Sequence, residues 1–231
     1  MPIFECRDLD KSFGQVRALD GVNISIEPGR IVGLLGPNGS GKTTLMKLAN
    51  GLLTPSGGEL LINGSAPDRN TRAIVSYLPE RTCIPLWMSA GQLLDFYRDF
   101  YTDFRRDAAE KMFGRLGIPL KQKVKQMSKG TREKAQLILV MSRRAGLYLL
   151  DEPIGGVDPA ARDFILDTVI SNYNPEAAVV ISTHIISDVE KVLDEVYFIN
   201  RGEIVLHDSV DAIREEKGMS VDALFREVFK C

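Results

Sequence analysis

The run Gly36-Pro37-Asn38-Gly39-Ser40-Gly41-Lys42-Thr43-Thr44 fills the pattern G-x-x-x-x-G-K-[ST] without a mismatch, and no other segment restricts the fold as much. The glycines let the backbone curl so that successive N–H groups converge on one anion, Lys42 adds a point charge, and the Thr43 hydroxyl can hold Mg²⁺. Such a loop belongs between a buried strand and a helix N-terminus facing the anion. Both are legible: Ile31-Val32-Gly33-Leu34-Leu35 is a short apolar run, and residues 42–50 are helix-prone, with Gly51 placed to end them. A nucleoside triphosphate held by residues 36–44 is the expectation.

The chain has 231 residues and a formal net charge of −2, which suits one large α/β domain with ample core and gives no global electrostatic reason to expect nucleic acid. A local exception is the stretch with Lys121, Lys123, Lys125, Lys129, Arg132 and Lys134 against Glu133 alone. It reads as a solvated face, with phosphates or an anionic lipid surface as the alternative. No run approaches the roughly 18 to 20 apolar residues that cross a bilayer, and Glu5, Arg7 and Asp8 break any signal-peptide core, so a cytosolic chain is expected. Cys6, Cys83 and Cys231 are scattered without metal-ligand spacing and read as free thiols.

Val22, Ile24 and Ile26 alternate with polar residues before Pro28-Gly29, and residues 59–62 end at Asn63-Gly64, a hairpin signal. From Ser89 the period becomes helical. Ser89 and Gln92 form a capping box, and Phe104, Ala108, Met112 and Leu116 recur every four residues until Gly117 and Pro119. Strand-like runs return at 147–150, 177–181 and 196–199 between helical stretches, which implies a parallel α/β core. Asp158-Pro159 predicts the start of one of these helices. The division expected is one domain over 1–231: a nucleotide-binding core with an antiparallel β subdomain in 1–79 and 146–231, and a helical insert in 80–145.

The strand Leu147-Tyr148-Leu149-Leu150 ends in Asp151-Glu152. Coupled to a phosphate loop, the first carboxylate can meet Mg²⁺ and the second can polarise the water that attacks the outer phosphorus. Here the chain resembles the nucleotide-binding subunits of ATP-binding cassette (ABC) transporters, over about residues 4–201. The likeness is carried by the phosphate loop, Asp151-Glu152-Pro153, Gly155-Gly156-Val157-Asp158 at the D-loop position and Ser182-Thr183-His184 at the switch-histidine position. It also implies that Phe13 stacks on adenine, that Met127-Ser128-Lys129-Gly130-Thr131 stands for the Leu-Ser-Gly-Gly-Gln signature, and that two cassettes sandwich ATP head to tail.

The fold so implied is a P-loop NTPase α/β core with an antiparallel β subdomain and a helical insert. Glu152 is then the general base, His184 and Glu80 complete the shell of the γ-phosphate and the metal, Thr43 and Asp151 hold Mg²⁺, and Ser128, Gly130 and Asp158 contact nucleotide. Two motifs depart from the family. Lys129 and Thr131 replace a glycine and a glutamine of the signature, and Glu80, in Tyr77-Leu78-Pro79-Glu80, replaces the usual Q-loop glutamine, a change the family shows in export-type members. The resemblance thus implies an ATP hydrolase, peripheral on the inner membrane face, dimerising with a like or unlike cassette and driving a separately encoded permease in export. An ABC-type regulatory or sensing clamp is the alternative. A small-molecule kinase fits less well, because Asp151-Glu152 supplies a base for water. The loop of residues 82–88, which holds the only Trp, either packs inside the helical insert or receives the permease.

Overall fold

The computed structural model describes residues 1–155 and 159–229. Strands β1 (Phe4–Phe13) and β2 (Val16–Ile26) open the chain, and β3 (Ile31–Leu35) leads through the phosphate loop into α1 (Lys42–Ala49). Next come β4 (Gly57–Ile62), α2 (Arg69–Ile74), β5 (Val75–Leu78), α3 (Ala90–Phe100), α4 (Arg106–Arg115) and α5 (Lys129–Met141). The remainder alternates: β6 (Leu147–Asp151), α6 (Pro159–Asn172), β7 (Ala178–Thr183), α7 (Ile186–Val189), β8 (Glu195–Asn200), β9 (Glu203–Ser209), α8 (Val210–Lys217) and α9 (Val221–Phe229).

A three-stranded antiparallel sheet has the order β2-β1-β4, and a six-stranded sheet has the order β5-β6-β7-β3-β8-β9, parallel except for the β8–β9 pair. The central strands are apolar on both faces because both are covered. In β6, Leu147 and Leu149 join the core shared with α1 and the antiparallel sheet, while Tyr148 and Leu150 join the one beneath α6 and α9. A third apolar cluster gathers Leu93 and Leu94 of α3, Ala109, Met112 and Phe113 of α4, and Ala135, Ile138 and Leu139 of α5.

The Ser89–Gln92 capping box forms reciprocally, with bonds of 3.2 and 2.9 Å. One local expectation needs correction. The every-four series from Phe104 is not the buried face of α4: the helix starts at Arg106, and Ala109, Met112 and Phe113 are buried. The cause is tertiary: Phe104 is held extended by its bridge to Arg143, and Arg105, with φ −89° and ψ 80°, is the non-helical N-cap, so helical geometry begins at Arg106. The hairpin signal holds: Asn63 and Gly64 turn with φ of 50° and 77°, and Ile62 and Ser65 exchange both backbone bonds across them at 2.7 and 3.1 Å, before the chain passes on to the Asp68-capped α2. Cys6 is buried and Cys83 exposed, both free; Cys231, Asp158 and the rest of the 156–158 segment lie outside the described residues.

Arg143 ties the helices to the sheet. Its side chain is 2% exposed, forks onto both carboxylate oxygens of Asp103 at 3.0 and 3.1 Å, donates to the carbonyls of Val75 and Ala73, and stacks 3.9 Å from the Tyr101 ring centroid. Its fork thus joins the α3–α4 connection to the start of β5. Removing one partner leaves buried carbonyls and a carboxylate uncompensated. Arg143→Leu is expected to cost about 3 kcal/mol in urea denaturation, and Arg143→Lys to recover little, because an ammonium cannot fork.

Candidate functional site

Register gathers the chemistry. Leu35 lies opposite Thr183, Asp151 opposite Ser182 and Leu78 opposite Leu150, so β3, β7, β6 and β5 end together. The phosphate loop, Asp151-Glu152, His184 and Glu80 all leave the sheet at this carboxyl edge, where open parallel sheets bind ligands.

The loop is shaped by close backbone approach. A Cβ on Gly36 would collide with the Ile199 carbonyl, and one on Gly41, whose φ is +114°, would lie 2.7 Å from the Ala18 carbonyl. Gly41 caps α1 without a side-chain hydrogen bond, which leaves the first N–H groups of the helix free for an anion. A cavity of about 300 Å³ lies over the loop, lined by Asn38 to Thr44 with Ala18, Glu80 and Glu152.

Lys42 is buried and donates to the carbonyls of Gly36 and Pro37 at 2.7 and 3.1 Å. Burial lowers its pKa, against the pull of Glu152, Asp151 and Glu80. Asp151 is 1% exposed and receives hydrogen bonds on Oδ1 from Ser182 at 2.6 Å and Thr43 at 3.2 Å. Its Oδ2 is buried with no hydrogen-bond partner among the described residues. Burial raises its pKa first, helped by the charges of Glu152 and Glu80, and its own charge adds to the desolvation that pushes up the half-buried Tyr77 phenol. A hydroxyl plus one carboxylate with a free oxygen fits Mg²⁺, which keeps most of its shell for water and phosphate.

Glu152 follows β6 with a left-handed φ of 49°, a strained value for a non-glycine residue, held by its N–H bonding to Ser182 O at 3.0 Å and Oγ at 3.2 Å. This turn swings the carboxylate back over the loop, 3.5 Å from Lys42 Nζ and 3.0 Å from His184 Nδ1. A carboxylate only accepts, so Nδ1 carries the proton and Nε2 is left to face the cavity or solvent.

A second cavity of about 500 Å³ is lined by Asn38, Glu80, Arg81, Thr82, Lys129, Arg132, Glu133, Glu152, Gly155 and His184. It brings Glu80, Glu152 and His184 together with the first turn of α5. Ser128 caps that helix, accepting from Thr131 N at 3.1 Å, while Lys129 is 86% exposed and reaches Glu133 only at 3.8 Å. Nothing lies within 4 Å of a Cβ on Gly130. Phe13 is 47% exposed under Lys11 and lines neither cavity; Asp158 lies outside the described residues. Residues unforeseen in the sequence are Ala18 and Arg81, while Arg132 was read only as part of the basic stretch and Tyr77 only as part of the Glu80 motif. Arg132 had a signal, standing four residues after the Ser128 cap, whereas Ala18 arrives only through tertiary folding.

A family model described as ABC transporter matches residues 19–155, more than half of the chain. The ABC transporter ATP-binding protein YtrB of Bacillus subtilis (strain 168) is 28% identical over 217 residues, covering 93% of this chain and 74% of its own. SkfE of the same organism, a SkfA peptide export ATP-binding protein, is 28% identical over 211 residues, 89% of this chain and 88% of its own. Of two further relatives, ABC transporter ATP-binding proteins of Synechocystis sp. and Bacillus subtilis, the chain spans 61% and 98% of the length. A solved ATP-binding subunit of an ABC transporter is similar with a TM-score of 0.86 and 26% identity, covering 98% of this chain and 99% of that one.

Asp151→Asn tests the buried charge. A carboxyl whose folded pKa is raised favours folding only when protonated, below its unfolded pKa, and that benefit is lost as pH rises through the folded value. The substitution is therefore expected to raise the nucleotide-free melting temperature at pH 7.5, by a margin that shrinks towards pH 4. Equal gains at both pH values in thermal melts would remove the charge as the cause.

Proposed function

The chain belongs to the ABC transporter family, as an ATP-binding subunit that hydrolyses ATP, and we propose that it forms half of an ATP-sandwich dimer driving a separately encoded permease in export. The observation that carries the reading is Glu152 held between Lys42 and His184 over the phosphate loop. In the nucleotide-free state the carboxylate pairs with the cation that the outer phosphates need. ATP in the loop competes for Lys42 and releases one side of Glu152, which stays oriented by His184 and can take a proton from an attacking water. The exposed N–H groups of α1 and the Lys42 ammonium stabilise charge on the phosphates. Thr43 and Asp151 are the residues that would hold Mg²⁺, which when bound neutralises phosphate oxygens, with Glu80 at its outer shell.

Dimerisation explains Gly130. A glycine in the first turn of a helix costs up to about 1 kcal/mol relative to alanine, and within this chain nothing crowds the position. A second cassette, like or unlike, whose phosphate approaches that backbone supplies the missing reason. Residues 80–145 would then act as the helical unit that carries Ser128 and Gly130 to the partner's nucleotide, with Asp158 and Phe13 at its edges. Export is supported by Tyr77-Leu78-Pro79-Glu80 and by the likeness to a peptide-export relative. No helix among the described residues is long and apolar enough to cross a membrane, so transport in this reading needs a permease, with the cassette on its cytoplasmic face. Leu86, 49% exposed beside Glu80's loop, suits that contact.

Glu152→Gln keeps the side chain's size but not its basicity. Turnover is expected to fall at least about a hundredfold, while ATP binding persists or tightens because Lys42 is no longer drawn away. An ATP-dependent dimer should accumulate in size-exclusion chromatography with light scattering; retained turnover would overturn the assignment. Leu86→Asp should leave ATP binding and the melting temperature unchanged and abolish co-purification with the permease; normal assembly would exclude this loop from the interface.

A further inference from the structure

The lysines of residues 121–125 have no part in the chemistry above. Between Lys111 and Arg132 the chain places Lys111, Arg115, Lys121, Lys123, Lys125, Lys129 and Arg132 without a single carboxylate, and residues 81–94 also contain none, in a protein whose formal net charge is −2. These two acid-free segments are adjacent in space. The Lys125 N–H donates to Leu86 O at 3.0 Å, Val124 to Met88 O at 2.9 Å, and Ala90 to Gln122 O at 2.9 Å, so residues 122–125 run beside 86–90. Ile84, Met88 and Val124 anchor both segments in the apolar cluster of the helices. What this frame presents outward is Trp87, 66% exposed, Leu86, and the exposed Lys121, Lys123 and Lys125. None of these three lysines makes an ion pair among the described residues.

We propose that this edge binds the anionic headgroups of a phospholipid surface, with Lys121, Lys123 and Lys125 on the phosphates and the Trp87 ring at the headgroup level. Three observations favour a lipid surface. Charges of one sign with no local counter-charge gain from a surface potential rather than from a matched partner. An exposed indole beside lysines has an apolar body and a polar edge, the combination that settles at a membrane interface. The backbone bonds hold Trp87 and the lysines in a fixed frame, so little ordering is required when the surface is met. The inference adds to the proposed function and uses it only to say which membrane is met. Binding is tested without a permease, so the two can fail separately.

Trp87 is the only tryptophan, so its emission reports on this edge alone. The full chain would be titrated with vesicles of phosphatidylcholine, with and without about 30 mol% phosphatidylglycerol to give the surface a negative potential. A blue shift of the emission and co-flotation are expected only with the anionic vesicles, both reversed by raising salt. The triple variant Lys121→Gln/Lys123→Gln/Lys125→Gln should lower the partition coefficient roughly a hundredfold, with basal ATPase turnover and melting temperature unchanged. Equal binding to both vesicle types, a shift insensitive to salt, or full binding by the folded triple variant would each overturn the proposal. Should the triple variant fold poorly, the salt and lipid series on the wild type decides alone. Lysines that instead lose binding only to a purified permease, with no vesicle response, would reassign the edge to a protein partner and refute the lipid reading.

Discussion

The structure turns on a carboxylate buried where three strand ends meet. Asp151 stands at the end of β6, receives the Thr43 hydroxyl from the start of α1 and the Ser182 hydroxyl from β7, and keeps its other oxygen uncommitted. A charge with 1% exposure raises its own pKa because nothing in the protein fully replaces water around it. Lys42 is in the mirror situation, its pKa lowered by burial. The carboxyl edge of the sheet thus holds two disfavoured charges, a few residues apart in space, that are both relieved by a polyanion bound with a divalent cation. Stability withheld from the empty fold becomes affinity for nucleotide.

The same logic explains the arrangement of Glu152. Its left-handed backbone is a local cost, and β7 sustains it through two hydrogen bonds from one N–H to Ser182. Had the residue continued in β geometry, the carboxylate would follow the strand direction instead of returning over the loop. The turn therefore converts sequence adjacency of two acids into two separate functions, one buried beside Thr43 and one reaching Lys42 and His184. Glu80 adds a third negative charge, exposed on the cavity wall yet close enough to act on both Asp151 and Lys42.

Much of this was legible because it is local. The phosphate loop, the apolar strands leading to Asp151 and His184, and the Ser89 cap are set by residues within a few positions of one another. The α/β architecture followed from alternation of strand and helix periods. What escaped was set at long range: α4 begins only at Arg106 because Phe104 is bridged to Arg143, just past the end of α5. Arg143 carries no local signal of its role, and only folding brings Asp103, Tyr101 and two carbonyls around it. Trp87 was undecidable in sequence because its neighbours Ile84 and Met88 are core while Leu86 is exposed, a division made by the backbone's bonds to residues 124 and 125.

Those bonds also join the chemistry to the periphery. Strand β5 begins at the carbonyl of Val75, which Arg143 holds to the helices, and ends at Leu78, two residues before Glu80. Beyond Glu80 the chain passes Cys83, whose N–H is fixed by Gln136 of α5 at 2.7 Å, and then reaches Leu86 and Trp87. The segment is thus gripped at both ends by the helical cluster while its middle lines the nucleotide cavity. A displacement of α5, whose first turn faces the same cavity, must either move Glu80 and the Trp87 edge with it or break the Gln136 and Arg143 bonds. Since both are partly or wholly buried, moving together is the less costly course, and an event at the γ-phosphate end of the cavity is carried to the face that Leu86, Trp87 and the lysines present outward.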